Sequence, residues 1–146
     1  MEKICLLLDD SDLEGTIAGY RTKLKDGTSV LYERIEPKMN KQTMSPSLEE
    51  TVLYIVNRCK EVNVGLLACD MYLGDDLKGL DVAREVLKLR PHLLVILYSG
   101  DFESVADEIT GSLGKAKNPK DSLRVLTKIK DYVDRSEKLD ERILHF

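Results

Sequence analysis

Residues 64–70 read Val64-Gly65-Leu66-Leu67-Ala68-Cys69-Asp70, an apolar run that ends on an acid. Residues 4–8 repeat this pattern, because they run straight into Asp9 and Asp10. Apolar runs of this length between turn residues indicate buried strands. A carboxylate at the tip of a buried strand is costly unless a cation, a covalent modification or hydrogen bonds use it. We therefore expect the acids at these tips to belong to a functional site.

Strand and helix patterns alternate along the rest of the chain. This alternation predicts a parallel sheet with right-handed crossovers and helices on both faces. The carboxyl ends of such strands share one edge, where open α/β sheets bind ligands. The predicted strands lie at 4–8, 29–35, 64–70, 93–98 and 112–114, and the predicted helices at 13–24, 47–59, 80–89, 103–109 and 119–133, with an exposed loop at 36–47.

Composition is that of one ordinary globular domain. The chain has 146 residues, 33% of them charged and 42% hydrophobic, with a formal net charge of −4. That length suits a single core, and an acidic balance without a Lys/Arg stripe disfavours nucleic acid as a partner. The three cysteines lack metal-ligand spacing, which predicts reduced thiols and a cytoplasmic location. No apolar run suggests a membrane span or a signal peptide.

The tip residues also suggest a reaction. Asp9, Asp10 and Asp70 would bring about three carboxylates together, and such a cluster recruits a hard divalent cation, of which Mg²⁺ suits oxygen ligands. A carboxylate beside Mg²⁺ can attack a phosphoryl donor and form an acyl phosphate. Ser99, after the 93–98 run, and Lys115, after the 112–114 run, can then contact the oxygens of the transferred group.

This order of tip residues resembles that of the receiver domains of two-component response regulators, over nearly the full chain. In that family an acid pair follows the first strand, a phosphoacceptor Asp the third, a Ser or Thr the fourth and a Lys the fifth. The matching residues here are Asp9 with Asp10, then Asp70, Ser99 and Lys115.

The resemblance implies a fold and a domain layout. The fold is a flavodoxin-like (βα)₅ doubly wound parallel five-stranded sheet in three α/β/α layers. The receiver domain is expected to occupy residues 1–134, with an enlarged connection at about 36–47 after the second strand. Residues 135–146 are interpreted as a charged, exposed C-terminal extension.

The resemblance also implies a function. Asp70 is the expected phosphoacceptor, phosphorylated with Mg²⁺ by a partner histidine kinase or phosphotransfer protein. Asp10 and Asp70 would bind Mg²⁺ directly, Asp9 through water, and the backbone carbonyl of Tyr72 would complete the protein ligands. The protein would catalyse only its own phosphoryl transfer and dephosphorylation, would signal through contact with a downstream protein, and could form a homodimer.

Three departures from the family pattern, besides the enlarged connection at 36–47, affect these expectations. The spacing from Asp70 to Gly79 is one residue longer than usual, and the family's Lys-Pro dipeptide is not intact. Lys115 precedes an alanine, whereas Lys117, in Lys117-Asn118-Pro119, is a competing choice for the site lysine. Ser112 stands where the family has an aromatic residue. The loss of that aromatic predicts a muted conformational response across 103–114.

Two alternatives stay open. A degenerate receiver would act as a binding module without taking phosphate. A haloacid-dehalogenase-type phosphatase is suggested by Asp10-Ser11-Asp12 and by Gly74-Asp75-Asp76. Its acidic motif, however, should follow the hydroxyl and the lysine, and here it precedes both.

Overall fold

The structure is a computed structural model that describes residues 2–9, 21–23, 29–74, 76–99, 135–136 and 138–145. Within this part of the chain the strands are β1 (Glu2–Leu8), β2 (Arg21–Lys23), β3 (Ser29–Ile35), β4 (Val64–Asp70), β5 (Leu94–Tyr98) and β6 (Ile143–His145). The helices are α1 (Leu48–Glu61) and α2 (Gly79–Leu89), and a short 3₁₀ helix, Leu139–Arg142, precedes β6.

All six strands form one sheet in the order β2-β3-β1-β4-β5-β6. Strands β3, β1, β4, β5 and β6 are parallel to one another, and β2 pairs antiparallel with β3 at the edge of the sheet. Counted along the chain among the described parallel strands only, their order across the sheet is second, first, third, fourth and fifth, which is the order of flavodoxin-like doubly wound sheets. The predicted fold class is confirmed, with an antiparallel edge strand added.

Both faces of the sheet are buried. Alternate side chains of β1, β4 and β5 pack with α1 and α2 in one core cluster. The intervening side chains point to the opposite face, and Leu7, Ala68 and Ile96 there are fully buried as well. Burial on both faces explains why these strands read as continuous apolar runs.

Local sequence marks the start of α1 and the apolar faces of both helices. The Ser47 hydroxyl accepts a hydrogen bond from the Glu50 N–H at 3.3 Å and caps α1, which begins one residue after the start of the helix predicted over 47–59. The apolar faces are confirmed by burial of Ile55 in α1 and of Val82 and Val86 in α2. Leu89, also expected on the inner face of α2, is 61% exposed.

The predicted 36–47 loop connects β3 to α1. Met39 and Pro46 form an isolated antiparallel bridge, which makes the loop a small hairpin. Lys38 fastens this hairpin to α1, since its N–H donates to the Thr51 hydroxyl at 3.0 Å and its carbonyl accepts from the Ser47 N–H at 2.8 Å. The connection is therefore exposed, as expected, but anchored at its base.

Two predictions of secondary structure are wrong. The helix predicted over 13–24 does not include Arg21–Lys23, which pairs with Ser29–Leu31 of β3 as strand β2. The predicted exposed extension at 135–146 contains β6, which pairs with Val95–Leu97 of β5 and buries Ile143. Pairing with a strand already in the sheet stabilises these three-residue segments. Strand β6 takes the place beside β5 that the sequence assigned to 112–114, which lies outside the described residues.

Candidate functional site

Asp9 and Asp70 lie at the same edge of the sheet, at the carboxyl ends of adjacent parallel strands. Leu8 of β1 pairs with Cys69 of β4, so each acid is one residue beyond this pair. Neighbouring strands are about 4.8 Å apart, which brings the two residues close together. The structure therefore places the backbones of these two acids side by side in register. Asp10, the other member of the acid pair, lies outside the described residues.

The gap between β1 and β4 is also the topological switch point of the sheet. From β1 the chain crosses to β3 on one side and later returns to β4 on the other side. The strands that follow β1 along the chain therefore lie on opposite sides of this gap. Open α/β sheets bind ligands at the carboxyl ends of the strands beside such a point, and Asp9 and Asp70 lie on its two sides.

Tyr98, the last residue of β5, joins this site. Its hydroxyl donates a hydrogen bond to Asp9 Oδ2 at 2.8 Å, and both residues are buried, with 0% and 1% exposure. Because β4 lies between β1 and β5, the phenol reaches across one strand to make this contact. Sequence reasoning missed Tyr98, although a tyrosine inside a buried strand indicates a hydroxyl that needs a partner.

Burial and nearby negative charge both act on the Tyr98 hydroxyl. Burial is the main reason that the pKa of Tyr98 is raised well above its usual range. The hydrogen bond to Asp9 and the negative charges of Asp9 and Asp70 raise this pKa further. The phenol therefore stays protonated at neutral pH and acts as a donor toward the acids.

The loop after Asp70 is held against β5 and folded on itself. Met71 N–H donates to the Tyr98 carbonyl at 2.9 Å. A narrow hairpin follows, closed by Leu73 N–H to the Leu77 carbonyl at 3.1 Å and by Gly79 N–H to the Met71 carbonyl at 3.0 Å. Neither closing bond uses the carbonyl of Tyr72, the predicted metal ligand, whose side chain is 68% exposed.

Two glycines allow this hairpin to form. Gly74 turns the chain with φ of 91°, a conformation that favours glycine. Gly79 begins α2 directly against the main chain of Asp70, and a Cβ there would overlap the Asp70 carbonyl oxygen and lie 3.1 Å from Leu97 Cδ2. The spacing from Asp70 to Gly79, one residue longer than the family's, thus spans a hairpin that still brings α2 back to the acid.

Of the other residues predicted for the site, the structure describes Ser99 but neither of the two candidate lysines. Ser99 follows β5 directly and is exposed at the same edge of the sheet. Lys115 and its competitor Lys117 lie outside the described residues, so their roles remain predictions. Strand β6 places His145 beside Leu97, near this edge. Because β6 lies two strands from β4, its backbone is roughly 10 Å from that of β4.

The carboxylate oxygens of Asp9 and Asp70 are donor atoms of the type that Mg²⁺ prefers. Asp9 and Asp70 offer carboxylate oxygens, and Mg²⁺ in proteins is held by one or two carboxylates with several waters kept. Within the described residues no three His, Cys, Asp or Glu side chains form a metal-binding group. An all-protein cage is not needed for Mg²⁺, so the two acids fit the ion as partial ligands.

Among known proteins, similarity to this chain was found only in solved structures. No protein-family profile matches the sequence, and no curated protein does. A response regulator receiver domain protein from Clostridium thermocellum superposes with a TM-score of 0.44 at 20% identity, covering 90% of this chain and 96% of its own. A CheY-like receiver domain protein from Methanospirillum hungatei JF-1 has a TM-score of 0.47, with the same identity and coverage. The receiver domain of NtrC4 from Aquifex aeolicus has a TM-score of 0.41 at 16% identity, covering 93% of this chain and all of that one.

The strand order and register described above identify the fold of this chain. In the described part of the chain, no helix has the length and apolar character needed to cross a membrane.

Proposed function

We propose that the protein is a phosphoacceptor receiver in which Asp70 takes a phosphoryl group in the presence of Mg²⁺. The observation that supports this proposal is the position of Asp70 and Asp9 side by side at the carboxyl ends of β4 and β1, on the two sides of the topological switch point. A carboxylate that ends a buried strand at a ligand-binding edge is placed for chemistry with a bound group.

In the proposed reaction, a carboxylate oxygen of Asp70 attacks the phosphorus of a phosphohistidine or a small phosphodonor. The new O–P bond forms as the donor's P–N or P–O bond breaks, and the leaving group takes up the bonding electrons. Asp10, Asp70 and the Tyr72 carbonyl would hold Mg²⁺ directly and Asp9 would hold it through water, and the ion would neutralise charge that develops on the phosphoryl oxygens. Ser99 and Lys115 would donate to these same oxygens.

The proposed partners follow from this role. A histidine kinase or a phosphotransfer protein would supply the phosphoryl group, and a downstream protein would recognise the phosphorylated state. The protein would work in the cytoplasm by protein–protein contact, without binding nucleic acid or membrane. It could form a homodimer, and it would catalyse only its own phosphorylation and dephosphorylation.

Intact mass spectrometry after incubation with acetyl phosphate tests the proposal. We expect a gain of one phosphoryl group on the wild type with Mg²⁺ and no gain with a chelator. Asp70→Asn should abolish the gain, and Asp10→Ala should weaken it by removing a metal ligand. Asp76→Asn is the matched control, because Asp76 is an exposed acid of the same loop and should not affect the gain.

Three outcomes would contradict the proposal. A gain that persists on Asp70→Asn, or that maps to Ser99, would exclude Asp70 as the acceptor. No gain and no binding of beryllofluoride by the wild type would favour the phosphorylation-independent binding module. Turnover of a generic phosphatase substrate that is lost on Asp12→Asn would favour the dehalogenase-type enzyme.

A further inference from the structure

Tyr98 connects three parts of the candidate site. Its hydroxyl contacts Asp9, which follows β1, and its carbonyl accepts from Met71, which follows β4. Its backbone pairs with Asp70, and the next residue along the chain is Ser99. One buried residue of β5 therefore touches the segment after β1, the segment after β4 and the predicted hydroxyl donor.

We propose that Tyr98 is a positioning residue that holds the Asp9 carboxylate for Mg²⁺ through the hydrogen bond from its hydroxyl to Oδ2. This inference rests on the proposed function and deepens it, since it assigns a residue that orients the acid expected to hold Mg²⁺ through water.

The geometry supports this role. A carboxylate with 1% exposure loses most of its hydration, so hydrogen bonds must replace the lost water contacts. A hydroxyl that donates to a carboxylate is a strong, charge-assisted donor, and the 2.8 Å distance is favourable. Fixing one oxygen restricts rotation of the carboxylate and sets the direction of the other oxygen. Outer partners of metal ligands act in this way, and their removal typically lowers metal affinity about 10–100-fold.

The closest substitution is Tyr98→Phe, which keeps the buried ring and removes only the hydroxyl. We expect the dissociation constant of Mg²⁺, measured by isothermal titration calorimetry, to rise about 10–100-fold. Tyr54→Phe is the matched control, because Tyr54 lies in α1 with 38% exposure and should leave Mg²⁺ affinity unchanged.

A double-mutant cycle separates positioning from a general structural role. If Tyr98 acts through Asp9, the Tyr98→Phe change should have little effect on Mg²⁺ affinity in an Asp9→Asn background. A loss of affinity of equal size in both backgrounds would mean that Tyr98 acts on the fold and not on the carboxylate, and would overturn the inference.

Fluorine NMR of the wild-type chain labelled with fluorotyrosine needs no substitution at position 98. The chain has six tyrosines, and one buried resonance should shift as Mg²⁺ is added to the wild type but not to Asp9→Asn. Absence of any shift would contradict the inference, even if Tyr98→Phe failed to fold.

The two proposals fail in different ways. If Asp70 is phosphorylated with Mg²⁺ and Tyr98→Phe keeps wild-type Mg²⁺ affinity, only the role of Tyr98 is overturned. If the wild type neither binds Mg²⁺ nor takes a phosphoryl group, the proposed function is overturned, and the role of Tyr98 with it.

Discussion

Gly79 offers a direct test of how tightly the fold holds the proposed phosphoacceptor. A methyl group at this position would overlap the carbonyl oxygen of Asp70, and the neighbouring side chain of Leu97 lies 3.1 Å away. The overlapping atom belongs to the main chain, so a side-chain rotation cannot relieve the contact. Gly79→Ala must therefore move either the start of α2 or the end of β4.

The cost in stability follows from two opposing effects. Overpacking a well-packed site costs about 1–3 kcal/mol. The helical preference of alanine over glycine, up to about 1 kcal/mol, opposes this cost but is smaller than most of that range. Subtracting about 1 kcal/mol leaves a net cost of up to about 2 kcal/mol. At roughly 3 °C per kcal/mol for a chain of this size, we expect Tm to fall by up to roughly 6 °C.

The effect on phosphorylation should be larger than the effect on stability. A displacement of about 1 Å in a reacting group costs on the order of 100-fold in rate, and the Asp70 main chain is the part that the new methyl group displaces. We expect the rate of phosphorylation by acetyl phosphate to fall about 10–100-fold under conditions where the variant remains folded.

Thermal denaturation followed by circular dichroism and time-resolved intact mass measure the two effects. Lys78→Ala is the matched control, since Lys78 is exposed and its side chain makes no cap hydrogen bond to α2. It should change neither quantity appreciably. A Gly79→Ala variant with wild-type Tm and a wild-type rate would refute the reasoning, because the contact would then relax without cost.

Three further predictions concern other parts of the chain. Lys115→Ala should impair phosphorylation or its conformational effect, measured by intact mass and by hydrogen exchange with beryllofluoride, far more than Lys117→Ala; an equal or reversed result would favour Lys117 as the site lysine. Ile143→Ala should lower the unfolding free energy in urea by about 2–4 kcal/mol, because Ile143 is 4% exposed in β6; a change below about 0.5 kcal/mol would mean that the C-terminal segment does not pack on the sheet. Cys59, which is half-buried, should react with a thiol reagent before the other two cysteines, whose pKa values are raised by full burial; early labelling of those two would contradict their burial.

Local patterns alone determined much of the fold. Apolar runs that end on polar residues gave the positions of β1, β4 and β5, because strands buried on both faces need continuous apolar sequence. A serine followed by acids and a helical apolar period located α1. The placement of Asp9 and Asp70 at the same edge of the sheet was also predictable, because the carboxyl ends of neighbouring parallel strands share that edge.

The short edge strands were decided by tertiary structure. Residues 21–23 continue a helical spacing in the sequence, and residues 143–145 end a charged segment. Three residues carry too little pattern to specify a strand. Each segment becomes a strand because it pairs with a strand already in the sheet, β3 in one case and β5 in the other.

Within the site, the hydrogen bond between Tyr98 and Asp9 was likewise decided by tertiary structure. The sequence determined that an acid follows β1 and that a tyrosine ends β5, but 89 residues separate them along the chain. Their contact requires both strands to flank β4 in parallel, with the phenol on the face of the sheet toward which the Asp9 carboxylate points. Only the packing of the whole sheet fixes these conditions, because hydrogen bonds between distant residues depend on strand order and register, which no local pattern specifies.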